Sequence, residues 1–318
     1  MDNKKKYRDL CKQEPSIPLF SQAWWLDSLS DEGWDVAIIE SKSGTIVATM
    51  PYIVKKRLGV VSITQPILTQ NLGPWFRKSN ANYIKKVSDQ KKYVQGLISQ
   101  LPEFSSFSQS WHYTRTDWLP LYWLGFSQTT KYTYLISGIL SNDDVLKGFD
   151  SSYRNKIKKA QKLVEVRKGL DDCSFYNINR KTFARQGLPI PYSEDVFIKH
   201  STAIKDNRAG EIFYAIDQEG RVHSALYLTW DSVSAYVHLV GEDPDLRNSG
   251  AGILLIYRTI EYTRDVLKLD NFDFEGSMLE SIEKVRRGCS GKQVSYHHIT
   301  KVNSKILKIK RLVSELCK

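Results

Sequence analysis

The most informative stretch of this chain is Val240-Gly-Glu-Asp-Pro244-Asp-Leu-Arg247-Asn-Ser-Gly250-Ala-Gly252-Ile-Leu-Leu-Ile256. The apolar run Ala235–Val240 that leads into it predicts a β-strand, and apolar residues at helical spacing after Gly252 predict a helix. Gly250 and Gly252 have no Cβ, so backbone N–H groups there can approach an anion closely. A helix N-terminus already presents unpaired donors and a partial positive charge. The stretch therefore predicts a strand, an anion-binding turn and a helix.

The same residues also suit an ordinary turn in which Asn248 or Ser249 caps the helix and the glycines serve geometry alone. The spacing is more specific, because a proline lies three residues before the arginine and glycines lie three and five residues after it. This Pro-x-x-Arg-x-x-Gly-x-Gly pattern resembles the acyl-CoA binding motif of the GCN5-related N-acetyltransferase (GNAT) superfamily. It differs from the dinucleotide fingerprint, which needs another glycine order. The resemblance implies acyl-CoA, acetyl-CoA in particular, as co-substrate. The residues expected to hold it are Leu239, Val240, Arg247, Asn248, Ser249, Gly250, Ala251 and Gly252.

Length and composition are typical of a soluble globular protein. The chain has 318 residues, enough for two domains, with 41% hydrophobic and 12% aromatic residues. No apolar run approaches the length of a membrane span, and the charged N-terminus is not followed by the apolar segment of a secretory signal. We therefore predict a cytoplasmic protein without a membrane span.

The net charge of +11 predicts anionic partners. Cofactor phosphates, a phosphorylated acceptor such as a nucleotide sugar, and RNA all fit that charge. The four cysteines, at positions 11, 173, 289 and 317, lie far apart and form no C-x-x-C pair, which argues against a zinc site and a disulfide framework. We expect free thiols and no metal, while these patterns leave the oligomeric state open.

An internal similarity indicates that one unit is used twice. Val36–Val54 and Phe213–Thr229 each predict a hairpin, with polar residues and a glycine between two apolar runs. A further strand and a helix follow each hairpin. A boundary near Ser137 divides the chain into residues 1–137 and 138–318. Only the second part has the Arg-x-x-Gly-x-Gly pattern.

Other elements of the second part are predicted from their apolar spacing. Residues 143–168 show an apolar stripe typical of one helix, with basic residues on its other faces. Strands are predicted at Ser174–Ile178 and Asn271–Glu275. Residues 302–316 predict a basic amphipathic helix that is available to pack back on the first domain.

Several stretches resemble the FemAB-like branch of the GNAT superfamily, and they are spread over nearly the whole chain. They are Phe20–Leu26, Gln65–Pro74, Tyr153–Ala160, Phe183–Gly187 and Asp273–Ser277. The resemblance implies two tandem GNAT-like domains of the α/β class (α+β in some schemes), each with a mixed, largely antiparallel sheet flanked by helices. Members of this branch include acyl-CoA dependent N-acyltransferases and peptidoglycan aminoacyltransferases that use aminoacyl-tRNA. The family thus implies acyl transfer to an amine.

The cofactor turn separates the two subgroups. The enzymes that use tRNA generally lack the full glycine pattern found here at Gly250 and Gly252, and some carry a helical-hairpin insertion that this sequence does not show. We therefore favour acyl-CoA as the donor. The basic residues after Asp143 suit RNA equally well, so tRNA stays open as a partner.

Aminolysis of a thioester needs a neutral amine, a stabilised oxyanion and a proton for the leaving thiolate. In GNAT proteins the strand ending near Val240 splays from its neighbour to admit the pantetheine arm, and a backbone N–H there can stabilise the oxyanion. Glu275 is the first choice for the base, with Glu242 and His238 as further candidates. Asp273 and Glu275 alternate with phenylalanines, so they also suit buried ion pairs with a purely structural role.

The general acid is the least defined group. Many GNAT enzymes use a tyrosine on the helix after the fifth strand, but Val285 stands at approximately that place. Ser277, Tyr262, water and the acceptor itself remain candidates for protonation. We include Ser277 among the catalytic residues.

Basic side chains and one acid are assigned to the acceptor. Arg154, Lys158 and Arg185 are candidates for clamping acceptor phosphates, with Asp273 beside them. Charged helix faces are also commonly just solvated. The acceptor expected from these patterns is a small-molecule or nucleotide-linked amine.

Three functions remain in competition at this point. The first is an N-acyltransferase that uses acyl-CoA and acts on an amine such as an amino sugar or a cell-envelope precursor. The second is an aminoacyl-tRNA dependent aminoacyltransferase that acts on a peptidoglycan precursor. The third is a noncatalytic module that binds polyanions.

Overall fold

A computed structural model describes residues 2–30, 33–141, 144–276, 278–305 and 307–308. The chain divides into two compact units. Unit 1 contains the described residues up to Lys131 and those from Ser295 onward, and unit 2 contains residues 132–294. The predicted division into residues 1–137 and 138–318 stays a prediction, and most of the helix predicted over residues 302–316 lies outside the described residues.

The described residues form helices and strands throughout the chain. The helices are α1 Asn3–Gln13, α2 Ala23–Ser30, α3 Tyr83–Ser99, α4 Leu119–Trp123, α5 Ser151–Ala160, α6 Asp172–Ala184, α7 Glu194–Asp206, α8 Ala251–Tyr262 and α9 Glu280–Gly288. The strands are β1 Trp34–Glu40, β2 Ile46–Arg57, β3 Val60–Thr64, β4 Trp75–Phe76, β5 Ser106–Ser110, β6 Ser127–Ser137, β7 Glu165–Lys168, β8 Gly210–Ile216, β9 Val222–Trp230, β10 Ser234–Glu242, β11 Asn271–Asp273 and β12 Lys292–Val302. Short 3-10 turns lie at Leu19–Ser21, Ile139–Ser141, Val145–Gly148 and Arg247–Ser249, and a π-helical turn lies at Thr263–Leu267.

Unit 1 has its strands in the order β1-β2-β3-β5-β12, with β4 paired to β2. Its one parallel pair among the described strands is β3 with β5, and the other pairs are antiparallel. Apolar side chains of α3, including Val94 and Leu97, pack with Ile63 and Phe107 on one face of this sheet. Successive side chains of a strand point to opposite faces of the sheet, and Ile63 of β3 and Phe107 of β5 point into this core.

Unit 2 has its strands in the order β6-β11-β10-β9-β8-β7. Only β10 and β11 pair in parallel among the described strands of this unit. The core joins α8, through Leu254, Leu255 and Ile260, to the sheet and to Phe149 and Ile157. The helix α8 therefore has its N-terminus fixed beside the end of β10.

The same order of elements occurs in both units. A hairpin, a third strand, a helix and a strand parallel to the third follow one another as β1, β2, β3, α3 and β5, and again as β8, β9, β10, α8 and β11. The hairpins predicted at Val36–Val54 and Phe213–Thr229 are confirmed. Each unit has a mixed, largely antiparallel sheet flanked by helices, as predicted for the fold class.

Three predicted elements differ in the structure. Ser174–Ile178 was predicted as a strand but lies inside α6, which begins where Asp171 accepts a hydrogen bond from the Ser174 N–H at 2.8 Å. The predicted helix over residues 143–168 is divided into a 3-10 turn, α5 and β7, because Asp150 caps α5 at its N-terminus. The strand predicted as Asn271–Glu275 ends at Asp273, since Glu275 has a left-handed backbone.

Two properties of the described residues bear on partners. No helix among them is long and apolar enough to cross a membrane. In the same part of the chain, no group of three or more His, Cys, Asp or Glu side chains is placed to hold a metal ion.

Candidate active site

All contacts of the candidate site lie in unit 2, around the end of β10. The ladder between β10 and β11 covers only Ser234–Tyr236 on β10. Two residues further on, the register with β9 shifts between Val237 and Leu239, so His238 is the extra residue of a β-bulge. Beyond Tyr236, the edge of β10 that faced β11 is thus no longer covered by that strand.

The backbone directions along β10 identify which groups lie on this uncovered edge. The Asp243 N–H donates to the His223 carbonyl at 3.0 Å, and the Gly241 carbonyl accepts from Ser224 Oγ at 2.9 Å, so both residues face β9. Peptide groups alternate in direction along a strand. Val240 and Glu242 therefore direct their N–H and C=O groups to the opposite, uncovered edge.

Side chains of α6 reach two of these edge groups. Asn179 Nδ2 donates to the Val240 carbonyl at 2.7 Å, and the Glu242 N–H donates to Thr182 Oγ1 at 2.8 Å. A Cβ on Gly241 would lie 2.6 Å from the Ile178 side chain and 2.8 Å from the Asn179 N atom. Only glycine at position 241 allows α6 to approach the strand this closely.

Glu275 and His238 form a buried pair at the bulge. His238 Nδ1 lies 3.0 Å from Glu275 Oε1, and the exposed fractions of the two side chains are 1% and 10%. An ionised carboxylate only accepts hydrogen bonds, so Nδ1 of His238 carries the proton in this pair. Glu275 is the more exposed member of the pair.

Burial controls the acidity of the carboxyl groups beside the bulge. It raises the pKa of Glu275, against the opposing effects of His238 and Arg286. It also raises the pKa of Asp273 to about 7, against hydrogen bonds from Thr133 and from the Glu275 N–H. A carboxyl whose pKa lies closer to neutral than usual is a better proton acceptor at physiological pH.

The turn before α8 has the geometry that its glycines predict. Gly250 has φ +82°, and a Cβ there would lie 2.9 Å from the Lys156 carbonyl oxygen of α5. A Cβ on Gly252 would lie 3.2 Å from Glu242 Oε1. Ser249 Oγ accepts from the Ala251 N–H at 3.3 Å. The glycines thus let α5 and the Glu242 carboxylate approach the first residues of α8.

The Glu242 carboxylate lies beside this helix N-terminus. Arg247 Nε lies 3.7 Å from Glu242 Oε2. Burial raises the pKa of Glu242, while Arg247, Arg185 and Lys156 act in the opposite direction. Their effect shows that three cationic side chains lie close enough to act on one carboxylate. Cationic side chains at a helix N-terminus are a common feature of sites that bind phosphate groups.

The remaining predicted residues fall into two groups. Lys158 and Arg185 are exposed, and Lys159 Nζ donates to the Asn248 carbonyl at 2.9 Å. Arg154 donates to the carbonyls of Lys147 and Phe149, which fixes the turn before α5.

Two acids and two candidate hydroxyl groups complete the comparison with the sequence. Asp273 is 2% exposed and accepts from Thr133, so it does not face a ligand. The alternative of ion pairs between these acids and Arg154 or Lys158 is not what the structure has, since Glu275 pairs with His238. Tyr262 packs against Phe213, with ring centroids 5.0 Å apart. Ser277 lies outside the described residues.

Asn179, Thr182 and Thr133 contact the site although the sequence did not point to them. Asn179 and Thr182 lie three apart on one face of α6, a face that a strand prediction over Ser174–Ile178 could not reveal. The aspartates at 171 and 172 followed by Ser174 were the available signal, because Asp is a preferred N-cap residue.

Residues 147–278 match the family model described as an acetyltransferase (GNAT) domain. These residues therefore form a GNAT-type acetyltransferase domain. The matched residues include α8, its glycine turn, the bulge at His238 and Glu275. No curated protein matches the sequence significantly.

Solved structures extend the likeness to most of the chain. The crystal structure of FemX covers 92% of this chain and 95% of its own, with 14% identity and a TM-score of 0.67. A tandem GNAT protein from the clavulanic acid biosynthesis pathway covers 95% of both chains, with 8% identity and a TM-score of 0.54. L-PGS from Bacillus licheniformis covers 99% of this chain and 97% of its own, with 10% identity and a TM-score of 0.54. The chain therefore has the FemAB-like tandem GNAT fold.

Proposed function

We propose that this GNAT acyltransferase takes an acyl group from acyl-CoA and transfers it to an amine. The observation that carries the proposal is the Glu275–His238 pair, which lies at the bulge of β10 where the strand leaves β11. The glycine turn, with Arg247, follows a few residues after the end of the same strand. The partner of the base, His238, and the anion site thus lie on one stretch of chain, and Glu275 reaches it from the end of β11.

The chemistry follows from these positions. Glu275 accepts a proton from the amine, while the amine nitrogen attacks the thioester carbonyl carbon. The N–H of Val240, on the uncovered edge of β10, donates to the oxyanion that forms. The C–S bond then breaks, the carbonyl re-forms, and the proton held by Glu275 passes to the thiolate. His238 keeps the Glu275 carboxylate in place and stays out of contact with the amine, because its side chain is 1% exposed.

The donor's pyrophosphate belongs at the start of α8 in this proposal. The Gly250 and Gly252 segment supplies backbone N–H groups, and Arg247, Lys156 and Arg185 supply positive charge. Acetyl-CoA is the donor that we would test first. The acceptor we propose is an amino sugar or another amine of a cell-envelope precursor in the cytoplasm, and the exposed Lys158 and Arg185 favour a phosphorylated or nucleotide-linked one.

Calorimetric titration with CoA and acetyl-CoA tests the donor site. We expect Arg247→Ala to weaken binding by about 10- to 100-fold, since a charge-assisted hydrogen bond contributes about 1.5–3 kcal/mol. Arg258→Ala is the matched control, because Arg258 lies on the far end of α8 and pairs with Glu261 at 2.7 Å. Equal binding of CoA by wild type and Arg247→Ala would show that the pyrophosphate does not bind at this turn. Glu275→Gln should bind the donor normally and lose turnover.

One observation favours the aminoacyl-tRNA alternative. The Val240 carbonyl accepts a hydrogen bond from Asn179, and the Glu242 N–H donates one to Thr182. A pantetheine arm that pairs with this edge of β10 would therefore have to displace these two hydrogen bonds. A donor that enters without pairing to the edge would leave these bonds intact. Titration with aminoacylated and with deacylated tRNA tests this alternative. Specific binding of the aminoacylated form, together with no binding of acetyl-CoA, would establish it.

A further inference from the structure

The backbone of Glu275 requires support from its surroundings. Glu275 has φ +46°, in the left-handed region that residues with a Cβ seldom occupy. Such a conformation persists only where neighbouring contacts impose it. Since the φ value sets the direction of the side chain, whatever holds this backbone also aims the carboxylate at His238.

Hydrogen bonds from Asp273 and β6 hold the segment Phe274–Gly276. The Glu275 N–H donates to Asp273 Oδ1 at 2.9 Å, and the Gly276 N–H donates to Thr133 Oγ1 at 3.0 Å. The Phe274 N–H donates to the Tyr134 carbonyl at 3.0 Å. Three successive backbone donors are therefore satisfied.

Thr133 links the two supports. Its hydroxyl donates to Asp273 Oδ1 at 2.5 Å while it accepts from Gly276. A hydroxyl can do both at once, whereas a methyl group can do neither. A Cβ on Gly276 would lie 2.0 Å from the Tyr132 carbonyl oxygen, so the turn rests directly on β6.

We propose that Thr133 and Asp273 are positioning residues that hold Glu275 in its left-handed conformation and thereby direct its carboxylate to the reacting amine. The inference rests on the proposed function, in which Glu275 is the base. Both residues are 2% exposed, so they act through Glu275 and do not touch substrate. Asp273, assigned to the acceptor from the sequence, takes this supporting role instead.

Steady-state kinetics of Thr133→Val test the proposal. We expect kcat to fall by about 10- to 100-fold, because a displacement of roughly 1 Å at a catalytic group can cost that much. The KM for the acyl donor should stay unchanged, since Thr133 bonds to Asp273 and Gly276, which are not residues of the donor's anion site. Thr133→Ser keeps the hydroxyl and should restore most of kcat.

The matched control is Thr229→Val, which replaces a fully buried threonine on β9 of the same unit. It should keep the wild-type kcat, and thermal melting of all variants shows whether each one folds. If Thr133→Val folds and keeps its kcat while Glu275→Gln has lost turnover, the positioning role is wrong and the base assignment stands. If Glu275→Gln itself keeps turnover, the proposed function fails first. A kcat equally low in Thr133→Ser would mean that the hydroxyl is not the group that matters.

Discussion

Glu242 places a negative charge where the proposed donor needs to place a phosphate. Its carboxylate lies 3.2 Å from the Cβ position of Gly252, at the first turn of α8. A helix N-terminus favours any anion, so Glu242 and the donor compete for the same positive potential. In the proposed function Arg247, whose Nε lies 3.7 Å from the carboxylate, is shared between them.

Glu242→Gln should therefore tighten CoA binding at pH 7.5, by about 2- to 5-fold, since a charge at a helix terminus contributes roughly 0.3–1 kcal/mol. Burial raises the pKa of Glu242, so the wild-type carboxylate loses its charge at a higher pH than an ordinary glutamate. As the pH falls, wild-type binding should approach that of the variant. Titrating both proteins with CoA from pH 7.5 to 5 gives the ratio of their affinities at each pH, and the protonation of the CoA phosphates cancels in this ratio. A ratio that does not change with pH would contradict the prediction.

The two acids next to the bulge illustrate how far residue-level reasoning reaches. The alternation in Asn271–Glu275 correctly indicated that carboxylates enter a polar environment. It did not indicate that Glu275 leaves the strand, because its φ value depends on Thr133, which lies 140 residues earlier in the sequence than Asp273. A contact of that sequence separation has no local signal.

At the level of elements, the turn into α8 is the part of the site where the structure explains most directly why a particular residue is required. Gly250 has φ +82° and a close neighbour in the Lys156 carbonyl, whereas Gly169 has the same φ with nothing within 4 Å of its Cβ position. Both positions disfavour a side chain for conformational reasons, at about 1–2 kcal/mol. Only Gly250 adds a steric conflict.

Gly250→Ala should lower the free energy of unfolding by about 1–3 kcal/mol more than Gly169→Ala, which is the usual cost of overpacking. Urea denaturation of the two variants and the wild type measures the difference. The same loss in both variants would mean that α5 yields without cost. It would also mean that the packing of α5 on the turn is not what selects glycine.

Local patterns predicted the hairpins and α8 because their signals lie within a few residues of one another. They failed at α6, where Phe175 and Ile178 suit both a short strand and one face of a helix. As a result, the sequence did not identify Asn179 and Thr182, nor the hydrogen bonds that these two residues of α6 make with the edge of β10. Asp171, which caps the N-terminus of α6, was the signal that distinguishes a helix from a strand at these residues.

At the scale of the whole molecule, the excess of positive charge bears on the choice of donor. The chain has 46 Lys and Arg residues against 35 Asp and Glu residues. Such a protein binds polyanions nonspecifically through many weak contacts, and this binding falls steeply with salt. A specific site for one pyrophosphate uses fewer charges and has a weaker salt dependence.

We therefore expect CoA affinity to fall by less than about 10-fold between 50 and 200 mM salt, and uncharged tRNA affinity to fall by about 10³-fold or more, as for a ligand with six or more phosphate contacts. Arg247→Ala should reduce the salt dependence of CoA binding and leave that of tRNA nearly unchanged, because one of many contacts is lost. Fluorescence anisotropy with labelled CoA and labelled tRNA measures both slopes. A tRNA affinity that resists salt, is abolished by Arg247→Ala and is displaced by CoA would mean that the two polyanions share one built site, and the donor would then have to be reassigned to aminoacyl-tRNA.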